Sequence, residues 1–114
     1  MESAADHMEE AHLQSTVVDM AHLYKWMVHH QPDSRKNPFR RRKQGRQSTP
    51  GYPDLTLVHP HQVPACYSWE LKREGELATS DQGLWLRSWS QAGVLVGVIW
   101  PSDLDRVELA LKGK

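Results

Sequence analysis

Apolar residues recur along the chain in two rhythms. Leu13, Val17, Met20, Tyr24 and then Met27 or Val28 are spaced by three and four residues, as on one face of a helix, so a first helix is predicted through them, with residues 1–7 polar and frayed ahead of it. Further on the rhythm shortens. Asp54 to Val58 and Ala65 to Leu71 are rich in β-branched, aromatic and apolar side chains and are bounded by Pro and His, which predicts a hairpin. Thr79-Ser80-Asp81-Gln82 has the form of a capping box, with Thr79 as cap and Gln82 reaching back. It opens a second helix that runs to Gln91, stops at Gly93 and buries Trp85, Leu86 and Trp89. Val94 to Trp100 is a continuous apolar run, too short for a helix and β-branched enough for a buried strand; Ser102 then caps a last helix with Leu104, Val107 and Leu111 on one face. The predicted order is helix, hairpin, helix, strand, helix, an α/β arrangement.

Composition narrows the class. A chain of 114 residues with 39% hydrophobic content supports one modest core, so residues 1–114 are expected to form a single domain. Lys plus Arg equals Asp plus Glu at 14 each, so any electrostatic partner must be argued from the distribution of charge. Cys66 is the single cysteine, which excludes an internal disulfide and suits a reducing compartment. There is no apolar run of bilayer length and no signal-peptide pattern at the N-terminus, so a cytoplasmic protein with no membrane association is expected. The charge is concentrated in one place. Seven of the 14 basic residues, Arg35, Lys36, Arg40, Arg41, Arg42, Lys43 and Arg46, crowd into a stretch with little to bury, read as a basic loop over residues 31–50. A solvated connector is one reading. The other is a polyanion-binding segment ordered on contact, because the loop leads directly to Asp54.

The hairpin carries the unusual chemistry. With a period of two, Cys66, Ser68, Glu70 and Lys72 share one face while Tyr67, Trp69 and Leu71 share the other. Asp54 opens the first strand, and Glu70 and Lys72 close the second. Two carboxylates converging at strand ends repel unless a proton or a cation lies between them, and oxygen ligands suit a hard ion such as Mg²⁺. Glu10 lies three residues before Leu13 and seven before Val17, on the apolar face of the first helix. It reads either as a solvated acid favouring the helix dipole or as an inward acid with a partner. Gln82 precedes Trp85, Leu86 and Trp89 on one helix face, so it can serve as a structural cap or face inward.

These residues resemble the PD-(D/E)xK nucleases and, within them, the VRR-NUC (virus-type replication-repair nuclease) branch in its small stand-alone, phage-type form. Gly51-Tyr52-Pro53-Asp54-Leu55 looks like the G-x-P-D-L element and Glu70-Leu71-Lys72 like the E-x-K element. The flanks follow in the family's order: Glu10-Ala11-His12-Leu13-Gln14, then Thr79-Ser80-Asp81-Gln82, Ala92-Gly93-Val94 and Trp100-Pro101-Ser102-Asp103-Leu104. The resemblance covers residues 10–111. It implies a restriction-endonuclease-like core, a mixed central β-sheet flanked by helices, with the site at the sheet edge where the hairpin strands diverge. It further implies Mg²⁺ or Mn²⁺ held by Asp54, Glu70, the carbonyl of Leu71 and Glu10, with Glu9 as the substitute for Glu10 if the register shifts by one. Lys72 would orient or deprotonate the attacking water, and Gln82 would sit beside the site. His30 matches a histidine that approaches the substrate, the alternative being a partly exposed strand-end residue.

The expected activity is metal-dependent hydrolysis of DNA phosphodiester bonds, with a four-way (Holliday) junction cut by a homodimer as the substrate that the resemblance implies. A flap or nicking endonuclease, or a non-catalytic nucleic-acid binding module, are the alternatives. His29, His30, His59 and His61 follow no zinc spacing and there is no Cys pair. Cys66 lies in mid-strand, which disfavours it as a nucleophile. The five Trp are expected in the core, with Trp26 and Trp69 undecided between core and stacking surface.

Overall fold

The computed structural model describes residues 8–31 and 49–113. Helix α1 (Glu10–Leu23) buries Leu13, Val17 and Ala21, one side chain per turn. It ends earlier than the spacing predicts. Lys25 takes a left-handed backbone conformation (φ 73°), its N–H donates to His22 O at 3.1 Å, and Trp26 N–H donates to Ala21 O at 2.9 Å. These two bonds form a Schellman closure with lysine where glycine is usual. Met27 and Val28 are therefore not the helix's last turn but the start of a strand, β1 (Met27–His30), which the sequence reading lacks.

Strands β2 (Leu55–Val58) and β3 (Cys66–Leu71) form the expected hairpin, helix α2 spans Ser80–Gln91, strand β4 Leu95–Ile99, and helix α3 Leu104–Lys112 after a 3-10 turn over Pro101–Asp103. The sheet order is β1-β2-β3-β4, antiparallel across the first two pairs and parallel between β3 and β4. The α/β class and the mixed sheet flanked by helices are thus as expected. One face of the sheet, with Leu55, Leu57, Trp69, Leu71 and Ile99, packs against α1 and against Val107 and Leu111 of α3. Helix α2 lies along β3 and β4 and buries Leu86. Among the described residues, no helix is long and apolar enough to cross a membrane.

Two further expectations change. The Val94–Trp100 run forms a strand, but in an edge position: β4 pairs only with β3 among the described residues, Leu95 is exposed and Ile99 alone is buried. Ser102 does not cap the last helix through its side chain. The buried Asp103 organises that turn, accepting Trp100 N–H at 2.9 Å and pairing with Arg106, while Ser102 N–H donates to Glu74 Oε1 at 2.6 Å.

Trp26 and Trp69 are both core residues, 3% and 4% exposed. Trp26 Nε1 donates to Leu111 O at 2.8 Å, joining the α1–β1 corner to the end of α3, and its ring meets His59 edge-on at 5.1 Å. His59 Nε2 donates to Tyr24 O at 3.1 Å, and Nδ1 accepts from His61 N at 3.0 Å and Gln62 N at 3.1 Å. Both ring nitrogens are thereby engaged, which leaves His59 no lone pair for a metal. Trp26→Phe keeps an aromatic ring but loses the indole N–H and part of the ring volume, leaving the Leu111 carbonyl only the longer bond from Gln62 Nε2 at 3.4 Å. The expected loss is about 1–3 kcal/mol of unfolding free energy, measured by urea denaturation, with the far-ultraviolet spectrum unchanged.

Candidate carboxylate site

The hairpin register puts the acids face to face. Leu55 pairs with Trp69 and Thr56 with Ser68, so one step further Asp54 stands opposite Glu70, and Glu70 pairs with Val98 of β4. His30, the last residue of β1, pairs with Leu55, and Gln31 N–H donates to Asp54 O at 2.8 Å. The site therefore lies where the ladder β1-β2-β3 runs out. Asp54 Oδ2 accepts Leu71 N–H at 2.7 Å, which ties one carboxylate to the strand that carries the other. Lys72 N–H donates to Ile99 O at 2.9 Å, which carries the β3–β4 pairing one residue past the strand.

Glu70 is 2% exposed and Lys72 9%. Glu70 Oε1 accepts from Gln82 Nε2 at 3.0 Å, whereas Oε2 is buried without a hydrogen-bond partner. Burial is the largest influence on the Glu70 carboxyl, followed by the hydrogen bond that its protonated form can give Asp54 and by the negative charge of Asp54; Lys72 opposes these and Glu10 adds to them. The result is a pKa pushed up to about 9. Facing carboxylates can share a proton, and the proton's place suits a divalent cation equally well. The donor set fits such an ion: two carboxylates, one with an orphaned oxygen. Among the described residues, no three His, Cys, Asp or Glu side chains gather at metal-ligand spacing. Further ligands would be oxygens of backbone, water or substrate, as hard ions that keep several waters accept.

Helix α2 holds the site from the other side. Gln82 does both things its position allowed, capping α2 with Thr79 and donating to Glu70. Gly51 (φ 80°) passes so close to this helix that a Cβ there would lie 2.5 Å from Asp81 C. Trp85 Nε1 donates to Pro50 O at 3.1 Å and the Tyr52 ring meets Trp85 edge-on at 5.0 Å. This docking of residues 50–52 fixes the approach to Asp54 and was not predicted; a glycine three residues ahead of the acid is its one local signal.

The structure thus brings Asp54, Glu70, Lys72 and Gln82 together, with Glu10 near enough for its charge to act on Glu70. Leu71 is fully buried, with its N–H on Asp54, and His30 is exposed one residue before Gln31. Glu9 is exposed just ahead of α1. Arg35, Lys36, Arg40, Arg41, Arg42, Lys43 and Arg46 lie outside the described residues.

The raised carboxyl makes stability depend on pH. Between an ordinary value of 4.5 and about 9 the folded chain holds a proton on Glu70 that the unfolded chain has released, so metal-free stability falls as pH rises through that window. Glu70→Gln supplies a neutral donor towards Asp54 at every pH. In EDTA the variant is expected to unfold near the wild-type temperature at about pH 5 and above it at about pH 8, by differential scanning calorimetry. Equal unfolding temperatures across the range would mean that Glu70 is not protonated in the folded chain.

No protein-family model matches the chain, and no curated protein matches it. Among solved structures it is similar to a VRR_NUC domain protein, with a TM-score of 0.64 at 18% sequence identity, over 99% of this chain and 94% of that one. The match takes in nearly all of both chains, and this chain has the VRR-NUC fold.

Proposed function

We propose that this chain is a Mg²⁺- or Mn²⁺-dependent nuclease that hydrolyses phosphodiester bonds in DNA. The observation that carries the reading is the Asp54–Glu70 pair, two acids held opposite each other with Glu70 Oε2 buried and unpartnered and a lysine two residues away. The fold it shares with a VRR_NUC domain protein supports the same chemistry. Asp54, Glu70 and the Leu71 carbonyl would hold the ion, and Glu10 would join them by closing in on it, since the three side chains do not gather at ligand spacing without one. When bound, it supplies a Lewis acid at the scissile phosphate and acidifies water.

The chain's own residues supply the rest. Asp54 and Glu70 are preorganised by the Leu71 N–H and the Gln82 amide, so their orientation is set before substrate arrives. Lys72 places a compact positive charge beside Glu70, where it orients the attacking water and offsets charge gathering on the phosphate oxygens. The basic residues Arg35 to Arg46 and His30 take the DNA backbone. One carboxylate site per chain cuts one strand. Paired cuts across a four-way junction therefore need two copies, which a two-fold homodimer provides. The single thiol and the DNA substrate suit a cytoplasmic setting.

Asp54→Asn, Glu70→Gln and Lys72→Ala should each lower cleavage by about a hundredfold or more while leaving DNA affinity within a few-fold. The assay compares linear, flap and four-way substrates with EDTA, Mg²⁺ or Mn²⁺, and sedimentation of the same samples reads the oligomer. Full activity in any of the three variants overturns the assignment; a monomer that prefers flaps removes the junction reading and leaves the nuclease.

Neutralising Arg40, Arg41 and Arg42 together should weaken DNA binding and flatten the slope of log affinity against log salt by up to about 2.7, three contacts at about 0.9 each. The thermal midpoint should hold. A slope equal to wild type would place the phosphate contacts elsewhere.

A further inference from the structure

We propose that Thr79 is a positioning residue for the site: the cap it forms on α2 sets the orientation of the Gln82 carboxamide and, through it, the Glu70 carboxylate. The inference rests on the nuclease reading for its purpose and on the hydrogen bonds alone for its geometry. Thr79 N–H donates to Gln82 Oε1 at 2.8 Å, and Thr79 Oγ1 accepts Gln82 N–H at 3.2 Å. A backbone N–H can only donate, so the amide oxygen must face Thr79 and the NH₂ group must face away. What it faces is Glu70 Oε1, at 3.0 Å. The opposite orientation would set two donors against each other at Thr79 and two acceptors against each other at Glu70. Both ends of the amide therefore specify the same orientation.

The arrangement gives an ordinary helix cap a second consequence. Thr79 is exposed and touches neither carboxylate, yet its hydroxyl anchors the backbone of the residue whose side chain holds Glu70. The first two turns of the helix also receive the segment that leads to Asp54, since Gly51 abuts the Asp81 backbone and Pro50 O accepts from Trp85. Loosening the first turn of α2 thus loosens the supports of both acids at once. If the cap acted only by stabilising the helix, weakening α2 at its other end would disturb the site just as much.

The test compares Thr79→Ala, Thr79→Ser and Gln91→Gly, the last weakening α2 at its far end. Heteronuclear NMR of the metal-free protein reads the side-chain NH₂ of Gln82. In wild type and Thr79→Ser its two protons should be well separated and slow to exchange with solvent; in Thr79→Ala, which keeps the backbone N–H on Gln82 Oε1 but loses the hydroxyl that fixes the turn, they should move towards the shifts and exchange rates of a surface glutamine. Calorimetric titration with Mn²⁺ should show a Kd raised roughly three- to tenfold in Thr79→Ala, the size of one lost cap bond. Thr79→Ser should return to within about twofold of wild type, and Gln91→Gly should match wild type in affinity while losing thermal stability. The proposal falls if Gln82 in the wild type already exchanges like a surface side chain, if Thr79→Ala changes neither readout, or if Gln91→Gly raises the Kd as much. A wild type that neither binds Mn²⁺ nor cuts DNA would remove the nuclease reading, and the NMR comparison would still decide the geometry.

Discussion

Two carboxylates stand opposite each other at the end of the β2–β3 ladder, and the rest of the fold works to keep them there. Like charges directly across a ladder oppose pairing by about 0.2–1 kcal/mol, and burying one of them adds a larger penalty. What outweighs this is the other face of the same strands. Leu55, Leu57 and Leu71 are fully buried, and each such side chain contributes about 1.5–3 kcal/mol when taken out of water. A one-residue slip of β3 would turn Leu71 outward and Glu70 into the apolar core. The hydrophobic face therefore sets the register, and the register sets the distance between the acids.

The two sides of the sheet have divided the work. Helices α1 and α3 close the apolar side with Leu13, Val17, Val107 and Leu111, and Trp26 joins their far ends through Leu111 O. Helix α2, on the other side, contributes one buried residue, Leu86, and its first turn makes polar contacts. Gly51 belongs to this division of work. A side chain there would collide with the Asp81 backbone and would be strained at φ 80°, so a residue without Cβ lets the chain pass under the helix before it turns into Asp54.

Much of this was legible because local and long-range signals agreed. The alternation in Ala65 to Leu71 put Glu70 and Lys72 on one face, and Thr79-x-x-Gln82 announced the start of α2. Where reading failed, a residue satisfied two patterns at once. Met27 and Val28 lie at helical spacing from Tyr24, yet they pair with Val58 and Leu57, because Lys25 turns the chain in a conformation that glycine usually marks. The β4 run looked wholly buried since apolar content cannot distinguish a central strand from an edge with one neighbour. Gln82 was undecidable for a different reason. An amide has two ends, and sequence spacing describes where a side chain starts and not how many partners it meets.

The position of the site in the chain also bears on the basic residues. Gln31 N–H is bonded to Asp54 O, and Thr49 O accepts Tyr52 N–H in the turn that docks on α2 through Pro50. Both ends of the connection between β1 and β2 are thus fastened within a few residues of the same aspartate. The sequence places all seven clustered cations between those fastenings. In the proposed reading, a polyanion drawn in by these charges would meet the one place in the described sheet where an anionic oxygen and a cation could be held between two carboxylates and a lysine.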